Sequence, residues 1–132
     1  MKENLLDEIY MKKAIEMAKQ AAREDEVPVG AILIQNGKTI AQAYNQKEKE
    51  KNTLKHAEMI VIEEASKKLN TWRLTGCTLY VTLEPCIMCS GALHQARITR
   101  VVYGCKDPKG GGLGTLYSIH EDSRLNHNFS VT

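Results

Sequence analysis

No stretch of this 132-residue chain stays apolar for the roughly 18 residues that a bilayer-crossing helix needs. The first residues, Met1-Lys2-Glu3-Asn4-Leu5-Leu6-Asp7-Glu8, lack the apolar core and cleavage signature of a secretory leader, so a cytoplasmic protein with no membrane partner is expected. Neither sign of charge dominates: 18 Lys and Arg stand against 16 Asp and Glu, for a formal net charge of +2. That balance neither announces nor excludes a nucleic-acid partner. No repeat, low-complexity tract or linker interrupts the chain, and its length fits one domain over residues 1–132. With 42% hydrophobic and 26% charged residues, the bulk of it is not disordered. Cysteine is sparse, at positions 77, 86, 89 and 105. In a cytoplasmic chain a disulfide framework is not expected, and metal or catalytic use gains weight.

What is present reads as alternating helices and strands. From Leu5 to about Glu24, Leu6, Tyr10, Ala14, Met17, Ala18, Ala21 and Ala22 recur at three- and four-residue steps, predicting an amphipathic helix. Val27 to Ile34 is apolar nearly throughout, as suits a strand covered on both faces. Asn36-Gly37 signals a hairpin turn, with Thr39 to Tyr44 returning. Residues 45 to 55 alternate in charge and read as a solvated loop. Helices are expected from His56 to about Lys68 and from Cys86 to about Arg97, and strands over Thr78–Leu83, Arg100–Gly104 and Phe129–Val131. A short helix is expected after the glycine-rich loop at 109–114. The pattern predicts a layered α/β domain with one early antiparallel hairpin and parallel, helix-connected strands after residue 77.

Two short motifs carry the chemistry, and each opens a predicted helix: His56-Ala57-Glu58 and Pro85-Cys86-Ile87-Met88-Cys89. Cysteines three apart project from one face of a helical turn. The positive end of the helix favours the thiolate that a metal requires. His56 is the natural third ligand. Three protein ligands leave one tetrahedral position for water, as catalytic zinc sites do, whereas structural sites are closed by four. Glu58 is placed as a proton carrier rather than a ligand, since it follows His56 by two residues, about 200° around a regular helix. A structural zinc knuckle needs a fourth ligand at paired spacing, which Cys77, Cys105 and His94, His120 and His127 do not offer. A redox pair gives no role to His-x-Glu.

The ordered set of His56-Ala57-Glu58 and Pro85-Cys86-x-x-Cys89 resembles the zinc-dependent cytidine and deoxycytidylate deaminase superfamily. Glu26 to Ala31, Asn45, Trp72-Arg73-Leu74, Thr78 to Cys86, Asp107 to Gly111 and Asn126-His127 extend the likeness to its bacterial tRNA-specific adenosine deaminases. The resemblance covers nearly the whole chain. It implies a three-layer α-β-α domain with a central mixed sheet of about five strands. It implies one zinc ion per subunit, held by His56, Cys86 and Cys89. A zinc-activated water would attack C6 of the wobble adenosine in a tRNA anticodon stem-loop, with Glu58 as proton shuttle, giving inosine. Asn45 would hold the base edge, with Val27 and Ala57 lining the pocket. Asp107, Lys109 and Asn126 would meet the RNA, with Arg97, Arg100 and Lys106 as lesser additions to a basic rim. A homodimer is implied, with its contact near the zinc helices.

Two departures stand out. Gln46 follows Asn45 where the family commonly has Arg, and the sequence ends at Thr132, where relatives usually continue into a C-terminal helix. Two alternatives remain open: a deaminase of free bases or nucleosides such as guanine or cytosine, and a zinc-stapled RNA-binding module without catalysis.

Overall fold

The N-terminal periodicity folds as α1 (Lys2–Arg23), whose Tyr10, Met11 and Ala14 rest on Ile32, Ile34, Tyr80 and Val102 of a central sheet. The computed structural model describes residues 2–132. The sheet begins with β1 (Gly30–Gln35) and β2 (Lys38–Tyr44), joined by Asn36 and Gly37 with φ of 50° and 74°. Two successive left-handed residues make the tight turn whose twist matches that of paired strands. After it come α2 (Ala57–Leu69), β3 (Cys77–Leu83), α3 (Ile87–Gln95), β4 (Arg100–Cys105), one 3₁₀ turn at Ile119–Glu121 and β5 (Ser130–Val131). The strand order is β2-β1-β3-β4-β5.

Three layers result. Ala57, Val61 and Ala65 of α2, with Leu93 of α3, pack against Ala31, Leu33, Leu79, Val81 and Val101 on the face opposite α1. β1 is therefore buried on both faces, as its unbroken apolar run requires. The first strand starts at Gly30 rather than Val27. Pro28 has no N–H for a ladder, and the Val29 amide bonds instead to the Val27 carbonyl at 2.8 Å.

The pairing is less simple than one early hairpin. β1 runs antiparallel to both β2 and β3, while β3, β4 and β5 are mutually parallel. α2 thus carries the chain across β1, and β2 and β3 share a direction. α2 and α3 both start at the carboxyl ends of parallel strands, which is where ligands bind in open α/β sheets. The expected helix between β4 and β5 is only the 3₁₀ turn at Ile119–Glu121.

Gly30 lies where α1 crosses β1. A Cβ there would collide with the Ala14 carbonyl and stand 2.5 Å from the Ala18 nitrogen, both backbone atoms of α1. Gly30→Ala is expected to cost on the order of 2–3 kcal/mol by overpacking, read as a lower midpoint in urea unfolding.

Arg100 is not a rim cation. It forms a bidentate pair with Asp7 of α1 at 2.9 and 2.7 Å, and Tyr80 donates its hydroxyl to Asp7 at 2.7 Å. The Arg100 hydrogen bond holds the Asp7 carboxyl below its usual value of 3.8. A depressed folded value adds stability that is present above pH 3.8 and lost as pH falls through the folded value. At pH 7, Asp7→Asn should destabilise the fold by about 1.5–3 kcal/mol. The gap to the wild type in urea titrations should narrow as the pH is lowered below 4.

Candidate active site

Both motifs sit at helix starts, though neither begins inside the helix. His56 is the N-cap of α2 and Cys86 the N-cap of α3, each with extended backbone and no side-chain capping bond. The side chains are therefore free to face each other. Cys86 Sγ lies 3.7 Å and Cys89 Sγ 3.5 Å from His56 Nδ1. All three ligand atoms are within 4.8 Å of one another, and among the described residues no other His, Cys, Asp or Glu joins them.

These spacings fit a metal. Zinc bonds of about 2.3 Å to sulfur and 2.0–2.1 Å to nitrogen at a tetrahedral angle put S and N about 3.6 Å apart. Electrostatics agree. A hydrogen bond from the Cys89 thiol, helped by the Met88 and Cys89 amides, brings Cys86 down to about 5, against the cost of burial. The same bond, with burial, pushes Cys89 up. A divalent cation would bind both sulfurs as thiolates and displace their protons.

Glu58 lies in the first turn of α2 and is buried, 4% exposed. Because His56 is a cap with extended backbone, the 200° separation of a regular helix does not apply, and both side chains reach one cavity. Burial raises the Glu58 carboxyl from 4.5 to about 7. A carboxylic acid near neutrality can both take and give a proton.

The cavity encloses about 250 Å³, and Asn45, His56, Glu58, Cys86 and Asp107 line it. Val27, Val29 and Leu83 give it apolar walls. Asn45 is 6% exposed, its backbone N–H donating to the Val29 carbonyl at 3.0 Å. Not every expected residue is there. Ala57 is wholly buried in the α2 core and does not reach the wall. Lys109 and Asn126 are exposed outside the cavity, and Lys109 N donates to Asp107 Oδ1 at 3.0 Å. Arg97 donates to the His94 carbonyl at 2.9 Å and lies over the Trp72 ring.

Four lining residues escape the sequence reading: the apolar Val29 and Leu83, and the charged Lys47 and Glu84. Lys47 belongs to the segment taken as a solvated loop, yet it borders the cavity. Glu84, 2% exposed, lies in the Thr-Leu-Glu-Pro-Cys run. Its signal was available: a charge between an apolar strand and a helix start needs donors, and the glycine-rich loop downstream is full of free amides.

Known proteins place this arrangement. Residues 6–130 match the MafB19-like deaminase family. The chain is 54% identical over 125 residues to the tRNA-specific adenosine deaminase of Bacillus subtilis, covering 95% of this chain and 78% of that protein. It is 48% identical over 120 residues to the one of Aquifex aeolicus, covering 91% and 80%. A solved structure from work on A-to-I editing by tRNA:A34 deaminases superposes with a TM-score of 0.90 at 40% identity, over 93% of this chain and 89% of that one. The guanine deaminase of Bacillus subtilis superposes less fully, at a TM-score of 0.73 and 33% identity, over 75% and 64%. A cavity with an open three-ligand cluster beside a buried carboxylate is thus found on a chain that belongs to the MafB19-like deaminase family, among the relatives named tRNA-specific adenosine deaminase.

Proposed function

We propose that this protein hydrolyses the exocyclic amine of the wobble adenosine in a tRNA anticodon loop, yielding inosine and ammonia. The observation that carries the reading is that Glu58 shares the wall of one cavity with His56 and Cys86, which cluster with the buried Cys89. Those three residues would hold a zinc ion, which when bound makes water nucleophilic at neutral pH. The rest falls to the chain. Glu58 accepts one proton from that water and gives it to N1 of the ring, then takes the second from the hydroxyl now on C6 and gives it to the departing amine. A water oxygen is thereby joined to C6, the C6–N bond breaks, and ammonia leaves. Asn45 offers a donor and an acceptor to the base edge. Val27, Val29 and Leu83 contact the purine faces and keep bulk water out. At about 250 Å³ the cavity is smaller than pockets for drug-sized ligands, which run about 300–1,000 Å³. It suits a single base turned out of its stack, as a splayed anticodon loop presents it. Asp107, Lys47, Lys109 and Asn126 would meet the flanking nucleotides.

The likeness to guanine deaminase supports a second reading, hydrolysis of a free base. Ammonia release from an anticodon stem-loop, with none from free guanine or cytosine, is expected of the metal-loaded protein. Release from a free base and none from RNA would overturn the assignment. A homodimer is also proposed, through the groove of Ile62, Ser66, Trp72, Ala92 and Ala96 beside the two motif helices. Light scattering should then give twice the 14.8 kDa of the chain.

A further inference from the structure

Two buried carboxylates near the cavity take no part in the scheme above, and each is fully engaged with one loop of its rim. Glu84 accepts from the amides of Asp107 at 3.1 Å, Leu113 at 3.0 Å and Thr115 at 3.1 Å, and from the Thr115 hydroxyl. It is 2% exposed. Gly111 fits flat against it, because a Cβ there would collide with the Glu84 carboxyl. Glu26, 5% exposed, accepts from the amides of Glu48 at 2.9 Å and Lys49 at 2.7 Å. The first loop carries Asp107 and Lys109, and the second carries Asn45 and Lys47. Neither carboxylate meets a cation in these bonds. Each has an arc of backbone N–H groups as its partner, so each ties a loop down without spending a basic side chain.

From this we infer that Glu84 and Glu26 are positioning residues for the RNA: paired clasps that hold the two rim loops in the arrangement that receives the nucleotides on either side of the reacting base. The inference rests on the proposed RNA substrate. Their chemistry is specific. Glu84 presents acceptors in two directions, Oε1 toward Asp107 and the Thr115 hydroxyl, and Oε2 toward the Leu113 and Thr115 amides. A glutamine has one acceptor and one donor. Its oxygen can serve the Leu113 and Thr115 amides, and the Thr115 hydroxyl can turn to accept. Its NH₂ then faces the Asp107 N–H, donor against donor, so the segment carrying Asp107 and Lys109 is released. In Glu26→Gln the amide of Glu48 or of Lys49 is likewise opposed.

The test uses the metal-loaded wild type, Glu84→Gln and Glu26→Gln, with an anticodon stem-loop as substrate. Each variant should raise KM about tenfold while kcat stays within about threefold, the mark of binding lost rather than chemistry lost. Metal content should be unchanged. Amide exchange, read without any substrate, should speed up at Asp107 in Glu84→Gln and at Glu48 or Lys49 in Glu26→Gln, with Val61 and Val81 still protected. If Glu84→Gln fails to fold, Thr115→Val removes one of the four donors and should give a smaller rise in KM. Unchanged KM and exchange in variants of an active enzyme would overturn the inference. So would a fall in kcat and metal content at constant KM, which would mean that the carboxylates only support the metal cluster. A wild type that makes no inosine would instead reject the RNA substrate, leaving exchange to report on the clasps.

Discussion

Glu58→Ala should lower inosine formation by about 10²–10⁴-fold, the usual worth of a positioned general acid–base. The protein should still fold and still carry its metal. The separation follows from the geometry. Glu58 is outside the three-residue cluster, so its loss removes no ligand. In the metal-free chain its carboxyl is buried and pushed up to about 7, so there it is held at a cost to folding. Thermal melting of metal-free Glu58→Ala should therefore match or exceed that of the metal-free wild type. Reaction rate, bound metal by elemental analysis and melting temperature decide the matter together. A variant with normal rates would make the carboxylate a bystander to the reaction. A variant that loses metal would make it a ligand.

Removing a metal ligand should have the opposite profile. In Cys89→Ala or His56→Ala, both turnover and metal are lost, and stability falls with them. The cluster joins the start of α2 to the start of α3, two helices whose mutual packing elsewhere is modest. A ligand that binds only the folded chain, at a thousandfold excess over its Kd, adds about 4 kcal/mol. For a domain of this size that raises Tm by on the order of 10 °C. Treatment of the wild type with a chelator should reproduce the drop, and added zinc should reverse it. Reversal in the wild type but not in the variants shows that these side chains hold the ion.

The site was more legible in the sequence than the sheet. His56, Cys86 and Cys89 could be brought together on paper because residue type and helix-start position restrict what each can do. The position of Glu58 near a helix start let it reach the same pocket on paper, and the extended cap conformation of His56, which the sequence does not specify, is how it does so. The Asn36-Gly37 turn set the first hairpin, because only left-handed residues close it. That β1 also pairs with β3 was hidden: a strand buried on both faces looks the same whichever neighbour it has. Ala57 read as a pocket residue from the motif around it, but its small side chain points into the α2 core. Charge misled in both directions. Lys47 looked like solvated loop and borders the cavity, while Arg100 looked like a rim cation and is paired with Asp7 of α1.

The reaction and its substrate are tested together by incubating zinc-loaded protein with an anticodon stem-loop in water enriched in heavy oxygen, followed by nuclease digestion and mass spectrometry. The account predicts inosine at the wobble position alone, carrying one heavy oxygen from solvent, and almost none with Glu58→Ala. Adenosine left intact at that position by a fully metal-loaded wild type would contradict it.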